Sequence, residues 1–161
     1  MISQTVEYAL RAIVTIAQHD GQTCTARKIA EIAQIPAAYL SKLMQSLVRG
    51  GLVHSQRGVN GGFVLTRDPK DITIWEVVDV IEPMKRIETC PLGIKSHAGA
   101  LCPLHAKIDG AIAATETIFR ETTISELLSG SGGTTPLCEE RKFVTLDACL
   151  ECKPPQKAMA Q

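Results

Sequence analysis

The sequence predicts a mainly α-helical chain that carries one β-hairpin and closes its ordered part with a long amphipathic helix. Three observations predict it. Two apolar stripes at helical spacing are joined by a short turn at Gln34, Ile35 and Pro36. Two short β-type runs enclose a glycine-rich loop at residues 57–62. Beyond His105, apolar side chains recur at helical spacing for several further turns. At 161 residues the chain is one domain with an appended arm. That length buries roughly two thirds of the surface the unfolded form exposes.

The totals narrow the function. Seventeen basic and seventeen acidic residues leave no net charge, so the whole molecule does not announce a polyanionic partner. The distribution does. Between residues 27 and 57, Arg27, Lys28, Lys42, Arg49 and Arg57 face one acid, Glu31, a local excess of four positive charges suited to phosphate contacts. Aromatic content of 4% argues against a single-strand binder built on base stacking. Glu7 and Arg11 interrupt the start, and no apolar run approaches the roughly 18 residues of a membrane span. A cytoplasmic protein with no membrane contact is expected, and its six cysteines read as metal ligands or redox groups rather than as a disulfide framework.

The first helix spans residues 3–19, with Val6, Leu10, Ile13 and Ala17 on one face and Asp20 and Gly21 as its stop. Thr25 caps a second, short helix whose Ile29, Ile32 and Ala33 point inward. Arg27 and Lys28 near its start oppose the helix dipole, so another role is expected of them. Pro36 suits the opening of the third helix, because its missing amide hydrogen would have gone unpaired there. That helix runs over about residues 37–49, with Leu40, Leu43, Met44 and Leu47 inside. Ala37, Ala38, Ser41, Lys42, Gln45 and Arg49 are left for the outer face, and Tyr39 is grouped with them. Small and polar residues near the start of such a helix let it enter a major groove and reach base edges.

Residues 52–56 and 63–66 form the hairpin around Arg57, Gly58, Val59, Asn60, Gly61 and Gly62. The loop lacks the Gly-Lys-Ser/Thr of a phosphate-binding loop and does not open a helix. It reads better as a wing on DNA, with Arg57 in the minor groove and Asn60 and the loop amides of Gly58 and Gly61 at the backbone. Helix, turn, helix and hairpin make a winged helix-turn-helix. Past the Asp68 and Pro69 turn, Thr73 and Glu76 form a capping box and Ile72 and Val77 a hydrophobic staple, opening a fourth helix that ends before Pro83. Trp75 is read as core packing.

Several ordered motifs carry a family resemblance: Ser3 with Glu7, Tyr8, Ala9, Leu10 and Arg11; Ile29 and Ala30 through Leu40; Leu52 and Val53 with Arg57, Gly58, Gly61, Gly62 and Phe63; the 74–82 helix; and Cys102, Pro103, Leu104 and His105. Over residues 1–128 the chain resembles the Rrf2 family of winged helix-turn-helix transcription regulators, the family of IscR and NsrR. The resemblance implies a homodimer that reads a partly palindromic operator in double-stranded DNA, not an enzyme. In many members it implies an iron-sulfur cluster. Cluster-binding members carry three cysteines spaced by five residues and a histidine three after the last. Here these positions hold Cys90, Ser96, Cys102 and His105, so a serine stands where the middle cysteine would be. A hydroxyl is a far harder and less acidic ligand than a thiolate.

His97, beside Ser96, supplies a replacement donor. Cys90, His97, Cys102 and His105 then offer two sulfur and two nitrogen ligands, a set suited to a two-iron, two-sulfide (2Fe-2S) cluster or to tetrahedral zinc. Cys102 precedes Pro103, a favoured first helical residue, which puts its thiol at a helix N-terminus with His105 on the same face. The alternatives are a metal-free thiol switch, a constitutive DNA binder with structural zinc, and a loop with no sensing role.

Leu104, Ile108, Ala111, Thr115 and Ile118, with neighbouring Ile112 and Phe119, form a stripe wider than one short chain needs. It is expected to meet its copy in a second subunit. Thr123 and Glu126 make a second capping box before a short helix. Residues 129–135 are linker-like. The tail holds Cys138, Cys149 and Cys152, the last two as Cys-x-x-Cys. A thiol oxidoreductase built on Cys149 and Cys152 would need a strand-to-helix setting that the tail is too short to supply. The expected organisation is a DNA-binding unit over 1–82, a sensor loop over 83–104, a dimerisation helix with its short follower over 105–128, and a flexible tail over 129–161.

Overall fold

The computed structural model describes residues 2–91 and 101–129. Six helices and one two-stranded antiparallel sheet follow in the order α1 (Gln4–Ala17), α2 (Ala26–Ala33), α3 (Ala37–Arg49), β1 (Val53–Gln56), β2 (Gly62–Leu65), α4 (Ile74–Ile81), α5 (Pro103–Glu121) and α6 (Ile124–Ser129). A 3-10 turn, Pro69–Asp71, links the hairpin to α4. This is the mainly α winged helix-turn-helix that the sequence predicts.

Side chains define the helix ends. Ser3 caps α1 by accepting from the Val6 amide at 3.2 Å. The chain leaves α1 through left-handed Asp20 and Gly21, with φ of 46° and 76°. Thr25 caps α2 by accepting from the Lys28 amide, and Gln34 closes it in a left-handed conformation. Pro36 stands at the cap position of α3, directly before a helix with the expected limits, Ala37–Arg49. Ile35 between them is buried, so the turn itself is pinned to the core.

One core serves the reading unit. Ile13 and Ile16 of α1, Ile29 of α2, and Leu40, Met44 and Leu47 of α3 meet Ile72 and Val77, all fully or almost fully buried. The four expected inward residues of α3 are the four buried there. The hairpin pairs Val53 with Leu65 and Gln56 with Gly62. Cys24 adds a strand position on its open side. The Cys24 and Phe63 amides and carbonyls exchange hydrogen bonds of 2.9 and 2.8 Å. A Cβ at Gly62 would stand 2.7 Å from the Cys24 carbonyl oxygen, so only glycine permits this approach.

Thr73 accepts from the Glu76 amide while the Glu76 carboxylate accepts from the Thr73 amide, the expected capping box of α4. Ile72 and Val77 are both fully buried beside it. The box at Thr123 and Glu126 is likewise formed, and opens α6.

The segment expected as the dimerisation helix and its follower, 105–128, is anchored to the rest of the chain at its far end. Ile124 is fully buried in the core of the reading unit. The Ile124 amide donates to Ile72 at 2.9 Å, and the Ile74 amide to Thr122 at 3.0 Å. The C-terminal end of α5 therefore lies against α4, and α6 follows it into the core.

A candidate DNA interface and a thiol–imidazole centre

The outer face of α3 presents the expected contact residues together. Ala37, Ala38, Ser41, Lys42, Gln45 and Arg49 are all exposed, because the inward stripe fixes the rotation of the helix. An open groove of about 780 Å³ lies between α2, α3 and the hairpin, bordered by Arg27, Ser41, Gln45, Arg49, Ser55 and Phe63. Two expected contact residues are engaged sideways. Arg27 pairs with Glu31 at 2.9 Å, one turn along its own helix. The Tyr39 hydroxyl meets Thr5 Oγ1 at 2.8 Å, and its ring meets Tyr8 edge-on, so it braces α3 on α1 while remaining partly exposed. Lys28 is half-buried beside Cys24.

The wing has a defined tip. The Gly61 amide donates to the Gly58 carbonyl at 2.9 Å, closing a β-turn with Val59 and Asn60 at its corners. Gly58 alone among these four has positive φ, 117°. The Thr23 hydroxyl donates to the Asn60 carbonyl at 2.9 Å and ties the tip to the α1–α2 loop. Arg57, Gly58 and Asn60 are exposed and Gly61 is half-buried. Val59, which the sequence reading passed over, is fully exposed at the corner.

The second site starts at the entry to α5. Cys102 occupies the cap position and Pro103 the first helical position, as expected. His105, one turn in, brings its Nδ1 to 3.2 Å from Cys102 Sγ and 3.9 Å from Cys90 Sγ. Both half-buried thiols thus share one imidazole nitrogen as neighbour. His97 and Ser96, like Cys138, Cys149 and Cys152, lie outside the described residues. Among the described residues, no group of three or more His, Cys, Asp or Glu side chains is arranged to hold a metal ion. These are separations between donor atoms, and they gather two sulfurs and one imidazole nitrogen into one thiol–imidazole cluster.

Cys24 provides the contrast. His19 Nδ1 donates to the Thr15 carbonyl at 2.7 Å, which leaves Nε2 facing Cys24 Sγ at 3.7 Å as an acceptor. Burial pushes the Cys24 thiol above its usual range, and Lys28 opposes this only in part. It is a protonated core thiol rather than a reactive one.

An acid that the sequence reading missed joins α5 to the arm after α4. Asp109 receives Arg86 Nε at 2.7 Å and Nη2 at 2.6 Å, and accepts from the Ile87 amide at 2.9 Å. The Arg86 hydrogen bonds, then that of the Ile87 amide, hold its carboxyl down at about 2. Its place four residues after His105, on the same helix face, was a readable signal; its partner was not.

The expected dimer stripe divides in two. Leu104, Ile108 and Ile118 are exposed at 64%, 42% and 59%, and Ala111 is also exposed on that side. Phe119 packs on the cluster of Val6, Ile74 and Val78 in its own chain and is half-buried there. Ile112, at seven residues' remove on the same face, is half-buried. The reason is rotational: residues 105, 109, 112, 116 and 119 follow one inward line, and 104, 108, 111, 115 and 118 the line beside it. Thr115 is half-buried, its hydroxyl donating to the Ala111 carbonyl. Trp75, buried as expected, carries Arg120 of α5 over its ring at 4.4 Å.

Comparison with known proteins agrees with this architecture. The family model for Rrf2, an iron-dependent transcriptional regulator, matches residues 2–130. A putative HTH-type transcriptional regulator of Aquifex aeolicus is 31% identical over 132 residues, covering 80% of this chain and 92% of the relative. The HTH-type transcriptional regulator CymR of Bacillus subtilis is 30% identical over 134 residues, covering 82% and 92%. Among solved structures, CymR, the global cysteine regulator of B. subtilis, superposes with a TM-score of 0.66 at 26% identity, covering 80% of this chain and 96% of that one. IscR of T. potens gives 0.66 at 25%, covering 80% and 86%. Among the described residues, no helix is long and apolar enough to cross a membrane.

Proposed function

The chain belongs to the Rrf2 family of transcriptional regulators, and from that premise we propose how its two sites work together in the cytoplasm. The regulator is a homodimer on a partly palindromic operator. The start of α3, through Ala37, Ala38, Ser41, Lys42 and Gln45, lies in the major groove. The wing, through Arg57, Gly58, Asn60 and Gly61, lies along the minor groove and backbone. The exposed line of Leu104, Ile108, Ala111 and Ile118 meets its copy and sets the spacing of the two reading units.

Operator binding is modulated at Cys90, Cys102 and His105, and the observation that carries this is the single imidazole facing both thiols. The donor set is chemically suited to a 2Fe-2S cluster or a soft metal, with His97 as the fourth donor in place of the cysteine that Ser96 replaces. Such a group, when bound, supplies a charge and redox change at the start of α5. Cys90 would tie the arm after α4 to that start, and Cys102 and His105 would hold the helix end. Ordering or releasing the arm would then change the distance between the recognition helices. A second reading, a metal-free thiol switch, is favoured by the 3.2 Å approach of His105 Nδ1 to Cys102 Sγ, a thiol–imidazole pair that needs no metal. It also fits the relative described as a global cysteine regulator.

One experiment separates them. Protein purified without oxygen is assayed for iron, sulfide, zinc and visible absorption. Its affinity for duplexes selected from a random library is then compared, loaded and stripped, across a salt series. Matching iron and sulfide with a changed affinity supports the cluster, and metal-free protein whose affinity follows oxidation supports the switch. Equal affinity in every state defeats modulation. Arg57→Ala should weaken binding by about 1–3 kcal/mol in either case.

A further inference from the structure

We propose that Asp109 is the positioning residue of the thiol–imidazole centre, holding Cys90 within reach of His105 and Cys102 through its clamp on Arg86 and Ile87. The inference rests on those three side chains forming one site. Cys102 and His105 need no help to meet, since both belong to the first turn of α5. Cys90 arrives on the arm after α4, and its position depends on what fastens that arm. The clamp is bidentate, with both carboxylate oxygens taken by the guanidinium fork, and the Ile87 amide adds a third hydrogen bond to Oδ1. The Asp109 side chain is only 15% exposed, while the Arg86 side chain that reaches it is 45% exposed.

The geometry of the tether supplies the physical reason. Ile87 lies three residues before Cys90, and three extended residues span about 10 Å. Asp109 and His105 are four residues apart on α5, a rise of about 6 Å. An arm fastened at Ile87 therefore carries Cys90 back to His105 within its reach. Without the clamp, the nearest preceding side chain packed on the Val6, Ile74 and Val78 cluster is Met84, six residues from Cys90. Doubling the free tether lowers the effective concentration of one thiol at the other by about threefold, following the −3/2 power of length.

The test uses metal-stripped, reduced full-length chain in which Cys138→Ser, Cys149→Ser and Cys152→Ser leave Cys90 and Cys102 as the accessible pair, Cys24 being buried. Dibromobimane forms two thioether bonds with loss of two bromides, and it fluoresces when both thiols have reacted. Asp109→Asn and Arg86→Gln should each lower the doubly alkylated yield about threefold at equal total alkylation, under conditions in which each variant is fully folded. The reversed pair Arg86→Asp with Asp109→Arg should recover it. Undiminished cross-linking in both single variants overturns the proposal. A parent chain that does not cross-link defeats the shared site itself, a separate result from failure of the clamp.

Discussion

The reading unit and α5 are both built from amphipathic helices, yet they dispose of their apolar faces in opposite ways. In α3 every expected inward residue is buried, with Leu47 fully so. In α5, none of nineteen residues is buried against the described residues, and its most apolar line faces outward. Helical periodicity alone does not separate these cases. The difference is whether the chain folds something over the stripe. A reading unit that encloses its own core holds its shape whatever its partner does. In the proposed dimer, a helix that does not is completed by association, and the distance between two rigid heads becomes the adjustable quantity.

Substitutions on the two faces should therefore have different readouts. Leu47→Ala removes fully buried methylene groups from the enclosed core and should destabilise the chain by about 3 kcal/mol in denaturant titration, at any protein concentration. Ile118→Glu places a charge on the outward line and should weaken self-association by at least about tenfold in sedimentation equilibrium, with little change in the stability of the dissociated chain. If Ile118→Glu instead unfolds the chain and leaves association intact, the contrast between the two regions is wrong. Thr73→Ala removes the side-chain half of the α4 box and should cost about 1 kcal/mol, within the reading unit alone.

Acid should act on the arm rather than on the core. The Asp109 carboxyl is held down at about 2, against an ordinary value near 3.9 when the chain is unfolded. A depressed carboxylate contributes stability above its unfolded value and loses it as pH falls toward its folded one. Protection of the Ile87 amide from hydrogen exchange, relative to its intrinsic rate, should stay flat above about pH 4 and decline below it. Asp109→Asn should abolish that profile.

Much of the reading unit was legible because its determinants are local. Thr73 with Glu76 and Thr123 with Glu126 are three residues apart, and the buried positions of α3 repeat at helical spacing. What escaped is what joins distant segments. Ile108 and Phe119 both obey the helical period, and only the cluster of Val6, Ile74 and Val78 decides which one turns inward. Arg86 and Asp109 are separated by 23 residues, with no pattern to couple them. In the centre, Cys102 and His105 were readable as one helical turn, whereas the approach of Cys90 depends on the arm.

The docking of Ile124 has a consequence for the order in which this molecule can be made. Its amide reaches back to the carbonyl of Ile72, and its side chain fills a place in a core whose other members all come from the first 77 residues. On a ribosome that core stays open until α5 and α6 have emerged, because loop closure over so long an interval must precede the contact. A nascent chain thus acquires its finished DNA-reading unit only after the helix that would pair it with a second copy has been synthesised.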